Sequence, residues 1–143
     1  MKLIIINGPN LNMLGIREPD IYGRESYDRL CERIREYCSA RSICVDFYQS
    51  NHEGDLIDKI QQAYGVYDGI IINPSAYTHT SIGLPDAIKA VKIPAIEVHI
   101  SDPDKREPYR KTSFVRSACL TVIKGLGTDG YLRAIDYLAD YLK

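Results

Sequence analysis

The run Leu3-Ile4-Ile5-Ile6 is apolar at consecutive positions rather than alternate ones. Side chains along a strand point alternately to its two faces, so such a strand needs both faces covered. Gly69-Ile70-Ile71-Ile72-Asn73 repeats the pattern, and residues 43–49, 94–100 and 119–124 add three further strand candidates. Segments of helical period separate them. Over 26–41, Tyr27, Leu30, Cys31, Ile34, Tyr37 and Cys38 share a face, with Ser26 as N-cap. Residues 54–65 group Leu56, Ile57, Ile60, Ala63 and Tyr64. Residues 80–91 open at Thr80 or Ser81, with Pro85 near the first turn, and 129–142 turn Leu132, Ile135, Leu138, Ala139 and Leu142 inward. This alternation predicts an α/β fold, a five-stranded parallel sheet with helices on both faces. The expected strand order is 2-1-3-4-5, a flavodoxin-like three-layer fold, as a single domain over 1–143.

Composition narrows the function. With 18 basic and 19 acidic side chains and a net charge of −1, the chain lacks the dense basic patch of a nucleic-acid-binding protein. Its 143 residues fall far short of the ~250 of a (β/α)₈ barrel. Cys31, Cys38, Cys44 and Cys119 form no CxxC pair and no Cys/His zinc pattern, so no metal site is expected and all four read as small buried apolar residues in a reducing compartment. No apolar stretch reaches the ~20 residues of a membrane span, and the N-terminus has no signal-peptide core, so the expectation is a cytoplasmic protein with no membrane partner.

In sheets of this type ligands bind beyond the carboxyl ends of the strands. The first strand runs into GPNLNMLGIREPDIYG (8–23), a long polar loop without a nucleotide-binding glycine pattern. The third runs into Asn73-Pro74-Ser75-Ala76-Tyr77-Thr78-His79-Thr80-Ser81, where hydroxyls, an amide and an imidazole crowd a helix N-terminus. The fourth carries Glu97 and His99 on one face, a carboxylate able to orient an imidazole, followed by Ser101, Arg106 and Arg110. His52 sits in a polar turn and reads as an ordinary surface histidine.

GPNLNMLGIREPDIYG, NPSAYTHTS and EVHIS with REPYR resemble the type II 3-dehydroquinate dehydratases, in that family's order and spacing and over essentially the whole chain. The resemblance implies cofactor-free, reversible anti dehydration of 3-dehydroquinate to 3-dehydroshikimate through an enolate, in the shikimate or quinate pathway. It implies Tyr22 as general base, Arg17 as its activating cation, Asn10 holding a water against the enolate, and His99 as general acid with Glu97 behind it. Asn73, Ile100 and Ser101 match the carboxylate-binding group, and His79, Arg110 and Asp86 the contacts to ring hydroxyls. It further implies a small-molecule substrate and a trimer-based homo-oligomer, a homododecamer, in which Asp86 reaches a neighbouring copy's site. Two positions depart from the pattern. Ser75 stands where the family often has Gly and is expected to narrow the pocket or add a hydrogen bond. Asp102 stands where Asn usually follows the Ser and is expected to bring negative charge near the substrate carboxylate.

The chemistry fits these residue types. At neutral pH an ordinary tyrosine, with pKa ~10, is about one part in a thousand phenolate, and closing that gap needs ~4 kcal/mol from a nearby cation. A carboxylate-backed histidine can protonate a leaving hydroxyl. The other known dehydratase chemistry uses a Schiff-base lysine in a barrel, but no lysine falls in these motifs. The competing readings are a flavodoxin-like flavin-binding or signalling module, which would need a phosphate loop or an acidic pocket after the strands, and a catalytically dead relative.

Overall fold

The computed structural model describes residues 1–143. Strands β1 (Lys2–Asn7), β2 (Cys44–Gln49), β3 (Gly69–Asn73), β4 (Ala95–His99) and β5 (Thr121–Lys124) form one sheet in the order β2-β1-β3-β4-β5, every pair parallel. The helices are α1 (Pro19–Tyr22), α2 (Tyr27–Ser39), α3 (Glu53–Gln62), α4 (Gly83–Val91) and α5 (Asp129–Tyr141). The architecture is the flavodoxin-like one the alternation predicts.

The consecutive isoleucines divide between two cores. Leu3 and Ile5 pack with Leu30, Ile34 and Cys38 of α2 and with Tyr131, Ile135 and Leu138 of α5. Ile4 and Ile6 pack on the opposite face with Leu56 and Ile60 of α3 and with Leu84 and Ile88 of α4. Each side chain so buried contributes about 1.5–3 kcal/mol, which holds both helical layers on the sheet. The three central strands are buried apart from Lys2 at the start of β1; β2 and β5 lie at the edges and are partly exposed.

The edges explain a departure from the sequence reading. Cys31 and Cys38 are buried, but Cys44 opens edge strand β2 and is exposed, and Cys119 is half-buried. The helix expected from 80 begins instead at Gly83, and Ser75–His79 form a 3-10 turn before it. That tightening has a local cause. The Asn73 side chain accepts a hydrogen bond from the Ser75 N–H, and the Ser81 hydroxyl accepts from the Leu84 N–H where the helix starts. The Ser26 N-cap is as expected, its hydroxyl accepting from Arg29 N–H at 3.1 Å. No helix is long and apolar enough to cross a membrane.

Candidate active site

The carboxyl ends of β1, β3 and β4 open into one cavity of about 520 Å³, counted to its mouth. Beside it the segments after β1 and β3 meet. Gly8 N–H donates to the Asn73 carbonyl at 2.8 Å, and a Cβ at Gly8 would lie only 2.6 Å from the Pro74 carbonyl oxygen. Glycine is therefore required for the two strand ends to approach this closely.

From β4, His99 lines the cavity and Glu97 lies behind it. Alternation along the strand puts both on one face, and the Glu97 carboxylate hydrogen-bonds His99 Nε2. This leaves Nδ1 as the ring nitrogen available to a ligand. Glu97 has no solvent exposure, and its carboxylate also accepts from the Thr78 hydroxyl at 2.7 Å and the Ser113 hydroxyl at 3.0 Å. Burial pushes its pKa up, but the hydrogen bond and charge of His99 and the two hydroxyl donors outweigh that, holding the carboxyl below its ordinary range. The result is a buried, ionised carboxylate aimed at an imidazole.

From β3 come Asn73, Ser75 and His79. His79 Nδ1 donates to the Thr112 carbonyl at 2.6 Å, because a carbonyl only accepts, so Nε2 is the nitrogen left for a ligand. Ser75 has φ 53°, a left-handed conformation that favours glycine. Ser75 lines the cavity, and its hydroxyl forms no hydrogen bond within the chain.

The long first loop supplies Asn10, Leu11, Met13, Leu14, Arg17 and Tyr22. It is more ordered than a polar loop suggests: a 3-10 turn over Leu11–Met13 and the short α1, which ends on Tyr22. The Arg17 guanidinium stacks 4.6 Å from the Tyr22 ring centroid. The cation that reaches the phenol is a different one: Arg106 Nη1 donates to the Tyr22 hydroxyl at 2.6 Å. Ile100, Ser101, Pro103, Arg106 and Arg110 close the cavity from the loop after β4.

Ten of the eleven residues singled out from the sequence thus line the cavity or, in the case of Glu97, support a residue that does. Asp86 does not; it is exposed on α4, away from the cavity of its own chain. The expectation for Asp102 is also corrected. Its carboxylate caps the following turn by accepting from Asp104 N–H and lies 3.9 Å from Lys124 Nζ, so it does not line the cavity. The direct contact of Arg106, the Glu97 clamp of Thr78 and Ser113, and Tyr131 behind Asn73 were missed. Arg106 and Thr78 sat inside recognisable motifs, whereas Ser113 and Tyr131 carried no signal.

Among the sixteen lining residues are three arginines and two histidines but no carboxylate, an environment for an anionic ligand. The model of the family described as Dehydroquinase class II matches residues 1–139. The chain belongs to this family. Among curated relatives it is 53% identical over 144 residues to the 3-dehydroquinate dehydratase of Fusobacterium nucleatum, covering 99% of this chain and 98% of that one. It is 51% identical over 142 residues to the catabolic 3-dehydroquinase of Phaeosphaeria nodorum, covering 99% and 93%. The type II dehydroquinase of Butyrivibrio crossotus superposes with a TM-score of 0.96 at 53% identity over 97% of each chain.

Proposed function

We propose that this chain is an enzyme that dehydrates 3-dehydroquinate reversibly to 3-dehydroshikimate. The observation that carries the reading is the pairing, within one cationic cavity, of a phenol hydrogen-bonded to a guanidinium with an imidazole hydrogen-bonded to a buried carboxylate. Dehydration beside a ketone needs a base for the weakly acidic C–H and an acid for the departing hydroxyl.

In this reading Tyr22 removes the proton. Arg106 donates to its oxygen and Arg17 stacks over its ring, placing two guanidinium groups at the phenol. The developing enolate is stabilised by a water held by Asn10, and by the positive cavity. His99 gives its proton to the leaving hydroxyl, while Glu97 orients the ring. The substrate carboxylate lies against Asn73, Ser101 and the backbone of Ile100; His79 and Arg110 meet ring hydroxyls. Asp86 completes the site from a neighbouring copy, in a homododecamer built of trimers. Its exposed position on α4 leaves it free to do so.

Incubation of purified protein with 3-dehydroquinate, followed by the enone absorbance of the product, tests the reaction; no increase under conditions of intact fold rejects it. Light scattering tests the assembly. A mass that is a multiple of three chains is expected, and a fully active monomer at assay concentration rejects both the trimer and the shared role of Asp86.

A further inference from the structure

Asn7 and Asn73 end adjacent strands and are paired in register. Their side chains continue the face of Leu3, Ile5 and Ile71, on which α5 packs. Tyr131 enters between them from the first turn of α5, fully buried. Its hydroxyl accepts from Asn73 Nδ2 at 3.0 Å and donates to Asn7 Oδ1 at 2.6 Å, and Asn7 Nδ2 donates to the Tyr27 hydroxyl at 3.3 Å. Of these residues only Asn73 lines the cavity.

The direction of every bond in this chain follows from one atom. The Ser75 backbone N–H can only donate, so the Asn73 atom that meets it, at 3.1 Å, is Oδ1. The amide nitrogen of Asn73 therefore faces Tyr131. The phenol must then accept from Asn73, which commits its own proton to Asn7 Oδ1 and turns Asn7 Nδ2 toward Tyr27. An Asn73 rotated the other way would set an N–H against the Ser75 N–H. An amide nitrogen has two hydrogens, and Tyr131 takes one. Asn73 is 3% exposed and lines the cavity, and no group of the chain accepts from its second hydrogen. A buried donor left unpaired is costly, and the group that pairs it best is an oxygen acceptor on the ligand.

We infer that Tyr131, which does not touch the cavity, is a positioning residue that locks the Asn73 amide so that the cavity presents an N–H donor to a ligand oxygen. The inference rests on the reading that Asn73 receives the substrate carboxylate, and it assigns Tyr131 to substrate binding rather than to the proton transfers. With phenylalanine at 131 the ring still fills the core, but the inner hydrogen of Asn73 loses its acceptor. The amide then leaves its locked position to find another partner, and the ligand loses a preorganised donor.

Steady-state kinetics of Tyr131→Phe and Asn7→Ala on 3-dehydroquinate test this, with melting temperatures recorded alongside. Tyr131→Phe is expected to raise KM five- to tenfold with kcat within twofold of the parent. Asn7→Ala, which removes the acceptor of the Tyr131 proton, is expected to raise KM two- to fivefold. The double variant should match Tyr131→Phe alone within twofold, because the two residues act on Asn73 in series. A purely structural role would lower the melting temperature without separating KM from kcat. KM of Tyr131→Phe within twofold of the parent, or a fall in kcat with KM unchanged, overturns the inference while leaving the proposed reaction standing. If Tyr131→Phe does not fold, Asn7→Ala decides by the same criterion: a KM within twofold of the parent overturns the inference. A parent protein that is folded and inactive on 3-dehydroquinate overturns both.

Discussion

Arg106 and Tyr22 lie 84 residues apart in the chain and are joined by a 2.6 Å hydrogen bond from Nη1 to the phenol oxygen. Arg17, five residues from Tyr22, reaches only the ring face. If Tyr22 is the base proposed above, its two cations come from two loops, and either arginine can be removed separately. Tyr22→Phe should lower kcat by ~10³-fold, the usual range for loss of a general base, with little change in KM. Arg106→Ala should lower kcat on the order of 10²-fold. Lysine at 106 should restore part of this, since it returns the charge without the planar fork. Steady-state kinetics check all three; near-normal turnover by Tyr22→Phe removes it from the role of base.

His99 and Arg110 line the same cavity but are expected to fail differently. With His99 as the proposed acid, His99→Ala should lower kcat and kcat/KM together. With Arg110 in the proposed contact to a ring hydroxyl remote from the reacting bond, Arg110→Ala should raise KM with kcat largely kept. The opposite pattern would mean that the two roles are exchanged.

No lysine lines the cavity. Borohydride added with 3-dehydroquinate should therefore leave the activity intact, because no imine forms for it to reduce. Substrate-dependent loss of activity on borohydride treatment would replace the tyrosine mechanism with a lysine one.

The Glu97 carboxyl is held below its ordinary range by His99, Thr78 and Ser113 despite burial. A lowered folded pKa stabilises the protein above the unfolded carboxylate value of about 4.3, and that contribution disappears as pH falls through the folded value. The parent should melt above Glu97→Gln at pH 7, and the gap should shrink below about pH 4. Thermal melts from pH 7 to pH 3 measure this. A gap that stays constant with pH would show that Glu97 contributes packing rather than charge.

Gly8→Ala places a methyl group against the Pro74 carbonyl, which is backbone and cannot swing aside. Over-packing of this kind typically costs about 1–3 kcal/mol, readable as a lower urea midpoint. Because the Asn73–Pro74 turn must shift, KM should rise as well. A variant with parental stability and KM would show that the two strand ends have more room than their contact implies.

Much of this molecule could be read from its residues in order. Consecutive isoleucines demanded two-sided burial, the helical periods supplied the layers, and the strand ends located the site. Those are properties of local pattern, which periods of 2 and 3.6 expose directly. The pairing of Glu97 with His99 was legible for the same reason, because both lie on one strand. What needed the tertiary structure were contacts between elements far apart in the chain. Arg106 on Tyr22, Ser113 on Glu97 and Tyr131 on Asn73 span 84, 16 and 58 residues. No periodicity encodes which distant side chain completes a buried hydrogen bond. That is decided when the sheet brings the strand ends together and every buried polar group must find a partner. Asp102 makes the converse case: its place in the chain suggested a charge beside the ligand, and a turn to cap and Lys124 drew it elsewhere.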